Sequence, residues 1–511
     1  MRGEKLNEPT DGNKSVIRND MYGRLDIYST FDEITPDNVK EELNSALVFH
    51  NKNLLQEEFL YWYRRGVQSI LHRTKTTRED ILNKVQVNVA AQVVDFKNGY
   101  FLTQPCSYTA RRKGVQTKLK KLNEYLYRSG KHEADNKTAD WFHTVGKGVT
   151  YVEPSDDPEV PFRAYALDPR SAFVVYSLRP GTKPIMGVNM VMVDGKAKFD
   201  VFTEDYVFHL SGADVAKTMS PEKNHEYIAT ATTLDSTEPN VLGRIPIIEY
   251  RYVSTNMGAF ESALPLLEEI NNIFSNACDG IEQFIQTLAI AVNCEFPEDT
   301  TITDIRKAGM IALRSIGENK AEFKVLTEQL DQTQTKVLID QLYDQVLRIC
   351  AMPTRSAGQS TQSTTGSAVL ANFGWYQASC SARCTEDLFK EANRQFDAII
   401  VDILKRKQLL DIDLSDFELN FVREETENIQ SKAQAFQTLL AAGLAPELAA
   451  AKSGVSSDPV KDMKLSEPYL QMIWGDPTKA VEAEQTDGGQ GEADITEEDS
   501  NNGENATGGS V

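Results

Sequence analysis

Residues 354–366 read TRSAGQSTQSTTG, a run of hydroxyl and amide side chains in which no hydrophobic residue is larger than Ala357. With so little apolar surface to bury, this stretch stays outside any core. Its flanks are the opposite. Upstream, Leu338, Leu342, Tyr343, Val346 and Ile349 recur at helical steps across residues 337–350, and Pro353 closes that helix. Downstream, Leu370, Phe373, Cys380, Cys384, Leu388, Phe396, Ile399 and Ile403 mark one helix over residues 367–406. That helix measures about 60 Å at 1.5 Å per residue, more than a small globule flanks with its own mass. A long helix fed by a polar loop points to a spoke in a larger assembly; a plain helical bundle accounts for the same pattern.

Further outward, Leu266, Ile270, Phe274, Ala277, Ile281 and Leu288 keep helical spacing from Ser262 on, which predicts one helix of about 28 residues, roughly 40 Å long. Strand-like runs at 310–313 and 322–326, with Gly309 and Gly317, follow it. Between Gly146 and Tyr252 the pattern is β-rich. Residues 149–152, 162–166, 172–176, 185–192 and 205–210 are β-branched and aromatic, with breaks at Asp156-Asp157-Pro158, Arg179-Pro180-Gly181 and Asp194-Gly195, an antiparallel meander. Asp168-Pro169 reads as a turn between two of these strands rather than a catalytic acid. Ahead of the meander, Thr35, Pro36 and Asp37 open a helix through Leu47. A second helix is expected over 54–71, and a third over 83–96 that closes at Asn98-Gly99 before a strand at 100–102. Residues 1–34 read as an extended arm. At the other end come a strand at 416–422, helices at 427–442 and 447–452, and a last ordered feature at 468–474. The class is α+β.

The chain has 511 residues, too many for one core, and a net charge of −21. Proteins that grip nucleic acid tightly carry a basic surplus, so a broad, tight nucleic-acid surface is disfavoured. From Val481 to Val511 there are nine Asp or Glu and no Lys or Arg, which predicts a disordered acidic tail and leaves −12 on the remainder. The polar amino terminus lacks the apolar region of a secretory signal, and no apolar run approaches the roughly 20 residues of a membrane span. Cytoplasmic assembly is expected. The cysteines Cys106, Cys278, Cys294, Cys350, Cys380 and Cys384 show no C-x-x-C spacing, and Cys380 and Cys384 read as small apolar residues on a helix face. Neither Gly130-Lys131, Gly146-Lys147 nor Gly195-Lys196 continues into Ser or Thr, so no phosphate-cradling loop of a nucleotide-driven motor is present. His132, Glu133, Asp135 and His143 lack the H-E-x-x-H spacing of a zinc site and read as surface residues between helices. No catalytic residue, metal or cofactor is expected.

Five segments, in order, resemble the portal proteins of long-tailed double-stranded DNA phages or prophages. Residues 83–108, NKVQVNVAAQVVDFKNGYFLTQPCSY, are similar to an early family segment with a D-x-K-x-G-Y turn. Residues 162–187, FRAYALDPRSAFVVYSLRPGTKPIMG, resemble its strand, Asp-Pro turn and second strand. RIPIIEY at 244–250 and ESALPLLEEINNIFS at 261–275 resemble the strand that leads into the first stem helix. GSAVL at 366–370 resembles the start of the long wing helix, although the family more often has Ser where this chain has Thr365. The order and spacing carry the resemblance, from about Thr35 to Trp474.

The resemblance implies a portal fold assembled as a ring: an amino-terminal arm (1–34), an antiparallel β-rich wing (35–255), a first stem helix (256–290), a small α/β clip (291–327), a second stem helix (328–350), a tunnel loop (351–366), a long wing helix with its following strand (367–424), a helical crown (425–475) and an acidic tail (476–511). It implies twelve copies around an axial channel for double-stranded DNA, held without regard to sequence. The implied partners are the large terminase subunit, a head-completion or adaptor protein, and the major capsid and scaffolding proteins, with no membrane; the implied location is the virion's capsid vertex. The tunnel-loop residues would be Thr354, Arg355, Ser356, Gln359, Ser360, Thr361, Gln362, Ser363 and Thr364, unless the stretch is a plain linker. Arg306, Lys307, Lys320, Lys324, Lys336 and Arg348 are the basic side chains available for brief phosphate contacts in channel or clip, or are ordinary solvated charges. A metal-dependent DNA-processing enzyme and a monomeric virion adaptor are the alternatives.

Overall fold

The computed structural model describes residues 23–76, 80–102, 104–112, 114–194, 196–214, 230–285, 288–292, 294–295, 314–315, 322–326, 332–354, 374–421, 429–456, 462–466 and 468–469. The chain divides into two compact units, Met1–Glu425 and Thr426–Val511. In the first, β1 (Ile27–Ser29) leads to α1 (Val39–Arg64). The expected start of this helix appears as a turn in which the Thr35 carbonyl accepts the Val39 N–H (2.9 Å) and Asn38 Oδ1 accepts the Thr35 N–H (2.8 Å). The two expected helices at 35–47 and 54–71 are one. Polar His50, Asn53 and Glu57 interrupt the apolar rhythm, yet all three are buried: His50 meets the Arg170 carbonyl at 3.0 Å and Asn53 meets Leu25, while a Glu57 carboxylate oxygen has no partner among the described residues. Asn53 accepts the Leu25 N–H and donates to the Leu25 carbonyl, both at 2.8 Å. Residues 23–34 are therefore no free arm: Ile27 and Ile34 are core residues, and β1 is a sheet strand.

Next come α2 (Val89–Phe101), β2 (Ser107–Ala110), α3 (Gln116–Arg128), α4 (Lys131–Val145), β3 (Lys147–Pro154), β4 (Phe162–Leu167), β5 (Ala172–Ser177), β6 (Pro184–Val193), β7 (Lys196–Phe202), β8 (Tyr206–Asp214), β9 (Ala231–Pro239) and β10 (Ile247–Arg251). The strands form a sheet in the order β1-β5-β6-β7-β8-β9 and a three-stranded sheet β10-β3-β4. All pairings are antiparallel except β1 with β5. Each expected strand of the meander is present, but they are shared between two sheets. Every residue of β5 is buried, because alternate side chains enter different cores. Phe173 and Val175 pack with Val39, Leu43 and Leu47 of α1, whereas Ala172, Val174 and Tyr176 pack with Val149 and Ile247 of the smaller sheet. β7 and β9 were not anticipated; β9 is mostly exposed and carries little apolar signal.

The unit continues with α5 (Leu264–Ile285), β11 (Leu288–Val292), β12 (Cys294–Glu295), β13 (Arg314–Ser315), β14 (Glu322–Leu326), α6 (Gln332–Ile349), α7 (Trp375–Arg406) and β15 (Phe417–Asn420), which pairs with β2. Val93, Phe142, Leu267, Val346, Phe389 and Phe396 bring α2, α4, α5, α6 and α7 into one core. Close packing of α4 on β3 requires Gly148, where a Cβ would lie 2.4 Å from the Thr138 carbonyl oxygen. Three expectations are corrected here. α2 starts at Val89 and runs through Asn98-Gly99 to Phe101, so no strand forms at 100–102; Asn98 bonds Asp140 and His143 instead of ending the helix. The helix expected to reach Leu288 stops at Ile285, and the apolar run at 288–292 is a strand, the usual ambiguity of a short apolar segment. The long helix starts at Trp375 after Gly374, whose φ of 78° is left-handed, and is about 48 Å long; residues 367–373 lie outside the described residues.

The second unit contains α8 (Ile429–Ala441) and α9 (Pro446–Ser453), separated by Gly443 with a φ of 85°. The feature expected at 468–474 lies mostly outside the described residues, as does the acidic tail.

A buried polar network fixes α7. Tyr108 donates to Asp397, and Asn393 Nδ2 donates to Asp397 at 3.0 Å and to the Tyr108 hydroxyl at 2.8 Å. Burial pushes the Asp397 carboxyl up to about 7. A raised acid contributes stability that is complete below its ordinary 3.8 and is lost as pH rises through about 7. Asp397→Asn should therefore flatten the fall in melting temperature between pH 4 and 8; an unchanged slope would contradict this assignment.

Candidate functional site

α5 and α6 pack side by side through Leu267, Ile270 and Val346, and the chain between them returns on itself as β11 paired antiparallel with β14 and β12 with β13. Leu288 sits opposite Leu326 and Val292 opposite Glu322, so the two helices are tied at one end by a ribbon.

A second tie holds α5 to the rest of the unit. The extended segment at 83–87 runs antiparallel along α5 with no strand beside it. Its alternate N–H groups are taken by side chains one helical turn apart: Val87 by Asn271 Oδ1 (2.8 Å), Val85 by Ser275 Oγ (2.9 Å) and Asn83 by Asp279 Oδ1 (2.7 Å). The match is geometric, because four helical residues rise about 6 Å and two extended residues about 6.8 Å. Asp279 also pairs with Lys75 and with Arg73 (3.0 Å). Burial works to raise its carboxyl, but Lys75, Asn83 and Arg73 hold it below the ordinary value.

The third tie is the base of the polar loop. α6 ends at Ile349; two residues on, at Ala351 with a φ of 48°, the buried Lys97 ammonium donates to the Ala351 carbonyl and to Ser381 Oγ of α7, both at 3.3 Å. Burial pulls the Lys97 pKa down to about 8. On the far side of the loop, Gly374 lies against the same backbone: a Cβ there would stand 3.4 Å from the Met352 carbonyl oxygen, with Pro353 and the Thr354 nitrogen next. Trp375 then packs beside Phe96 and Tyr100, at 6.1 Å from each ring centroid. The chain leaves this point at Thr354 and comes back to it at Gly374.

Of the residues expected to line a loop, Thr354 is half-buried at this base. Arg355, Ser356, Gln359, Ser360, Thr361, Gln362, Ser363 and Thr364 lie outside the described residues, as do Arg306, Lys307 and Lys320. Lys324 is on β14 opposite Ile290. Lys336 and Arg348 are both exposed on α6 but are not brought together, being separated by about 18 Å along the helix and about 120° around it. His132, Glu133, Asp135 and His143 lie on α4 and not between helices, and two of them are not surface residues. Asp135 is buried beside Lys131, and His143 is buried against Asn98 Oδ1 at 2.6 Å. Glu133 pairs with Lys137 at 2.6 Å. Among the described residues no group of three or more His, Cys, Asp or Glu is placed to hold a metal. No described helix is long and apolar enough to cross a membrane. Sequence reasoning missed Asn271, Ser275, Asp279 and Lys97; the step of four from 271 to 279 was the available signal.

The described site is a paired-helix hairpin closed by a β ribbon beside a long helix, and the match to a known family puts it in the phage portal class of structural proteins. The chain belongs to that family: the family model described as phage portal protein, SPP1 Gp6-like, matches residues 40–466. The family is structural and non-enzymatic, a component of the virion. No curated protein matches the chain.

Removing the Asp279 carboxylate leaves Arg73 and the Asn83 N–H short of a partner, so Asp279→Ala should cost about 3 kcal/mol in chemical denaturation. A change within experimental error would mean that the side-chain ladder does not hold α5.

Proposed function

We propose that this chain is the ring subunit of a capsid portal, twelve copies around an axial channel that conducts double-stranded DNA. The observation that carries this reading is the closed base of the polar loop between α6 and α7. A loop anchored at both ends on a fixed helical frame projects as a unit, and twelve of them narrow a bore. Hydroxyl and amide side chains exchange hydrogen bonds between water and phosphate at little net cost, which suits contact with a moving duplex. The net charge of −21 supports the same reading. Each fixed phosphate contact opposes a step of translocation, so a mainly acidic wall centres DNA without holding it. Lys336, Arg348, Lys324, Lys320, Arg306, Lys307 and Arg355 are then brief, sequence-blind contacts.

On this reading residues 35–255 with 367–424 make the wing, the helices α5 and α6 within 256–290 and 328–350 the stem, 291–327 the clip, 351–366 the tunnel loop and 425–475 the crown. The clip is the docking platform for the large terminase subunit, which supplies the ATP-driven force, and later for a head-completion or adaptor protein; the wing meets capsid and scaffolding proteins. Assembly takes place in the host cytoplasm, and the ring neither uses a cofactor nor enters a membrane.

Native mass spectrometry should find an assembly at twelve times the 57.1 kDa chain mass, or a neighbouring ring number outside the capsid. A species that stays at the mass of one chain at all concentrations would overturn the ring and favour a monomeric adaptor. In particles assembled with a chain lacking residues 355–366, the ring should persist while DNA packaging or retention falls at least tenfold. Normal DNA content would remove the loop from the mechanism.

A further inference from the structure

The turn that finishes α6 is built on an alanine where a glycine is usual. The Ala351 N–H meets the Arg348 carbonyl at 3.1 Å, and the Met352 N–H reaches back to the Leu347 carbonyl at 2.8 Å. That pair of bonds closes a helix when the residue after its cap is left-handed, a place glycine fills most easily because it has no Cβ. Ala351 fills it here, with a φ of 48°. The turn is therefore strained, and such strain persists only where neighbouring groups impose it.

The group in place to impose it is Lys97. This α2 side chain is buried, 6% exposed, and its ammonium donates to the Ala351 carbonyl and to Ser381 Oγ of α7. A buried ammonium ordinarily pairs with a carboxylate; Lys97 pairs with none among the described residues. The groups that face it are uncharged at neutral pH. Burial pushes the Cys350 thiol of α6 and the Tyr252 hydroxyl just after β10 up to about 12, and it holds the His143 imidazole of α4 well below the ordinary 6.5. The electrostatic partner of Lys97 is instead the carbonyl end of α6, where the helix dipole is negative. Compensation by a dipole is incomplete, and burial pulls the Lys97 pKa down to about 8. A base shifted in this direction makes the folded state less stable for as long as it is charged.

We propose that Lys97 is a positioning residue, whose ammonium holds Ala351 in its left-handed turn and ties that turn to α7, fixing where the chain leaves α6 although the charge itself destabilises the fold. Its functional meaning rests on the tunnel-loop reading, in which Lys97 aims the loop. An ordinary structural residue predicts something else: its removal would loosen the turn and lower stability together.

The test compares full-length wild type with Lys97→Met, which keeps an unbranched apolar stem and loses the charge. Arg355 is the only Lys or Arg between Thr354 and Gly374, so trypsin cleavage after it reads the freedom of the chain beside the turn. At pH 7, Lys97→Met should be cut there about fivefold faster than wild type, with an equal or higher melting temperature. The Lys97 charge acts in full below about 8 and is gone above the ordinary 10.5, so both differences should close as pH rises from 7 to 10. Each comparison is made at one pH, which cancels the protease's own pH dependence. Ser381→Ala removes only the tie to α7 and should speed cleavage about twofold. Equal cleavage of Lys97→Met and wild type at pH 7, a lower melting temperature for Lys97→Met, or differences that persist at pH 10 would each overturn the proposal. Cleavage of Ser381→Ala at the wild-type rate would overturn the tie to α7. These readouts belong to a single subunit, so the expected results from a chain that forms no ring would fault the tunnel-loop reading and leave the positioning role standing.

Discussion

The approach of Gly374 to the Met352–Thr354 backbone is the constraint on which the proposed conduit depends. A left-handed φ of 78°, which glycine adopts freely, turns the chain into α7 beside the Met352–Thr354 backbone, and Lys97 bonds the Ala351 carbonyl and Ser381 of α7 at once. Without that closure, α6 and α7 would be joined by a slack linker. With it, the stretch from Thr354 to Gly374 begins and ends at one place on a rigid frame.

The same economy recurs elsewhere in the first unit, where buried side chains replace backbone partners. Asn271, Ser275 and Asp279 do for the 83–87 segment what a neighbouring strand would do, and Asn53 does so for Leu25. Around residues 24–26 the replacement is ionic. Arg24 pairs with Glu261 at 2.5 Å with both side chains fully buried, and Lys147 lies 3.0 Å from both Asp26 and Glu249. Nearby Glu57 has a carboxylate oxygen without a partner in the described structure, and burial pushes its pKa up to about 8. Such groups add little net stability, but a misplaced neighbour would strand a charge, so they specify one arrangement of helices on sheets.

Much of this was legible in the sequence. The five strands of the meander, the helices at 429–441 and 446–453, and the helical spacing behind α5, α6 and α7 follow from apolar periodicity, because packing against a core imposes that period. The portal resemblance rested on the order of five segments and agrees with the family match over residues 40–466. The failures have a common cause. α1 looked broken because His50, Asn53 and Glu57 are buried polar residues, and the partners of His50 and Asn53 are distant in sequence. α2 seemed to end too early, at Phe96, because Asn98-Gly99 usually signals a helix end, and here Asp140 and His143 remove that competition. Leu288 extended a helical rhythm but belongs to a strand whose partner is more than thirty residues away. The meeting of Lys97, Ala351 and Gly374 was invisible for the same reason, since tertiary packing alone brings these residues together.

The proposed conduit requires that the acidic surface of an electronegative subunit face the path and that the contacts on that path be few and exchangeable. The most direct test is a cryo-electron microscopy map of the assembled particle. The account predicts that residues 355–366 of successive subunits surround the axis at the narrowest part of the bore, each hanging from Thr354 and Gly374. A map that puts those residues on the outer rim, away from the axis, would contradict it.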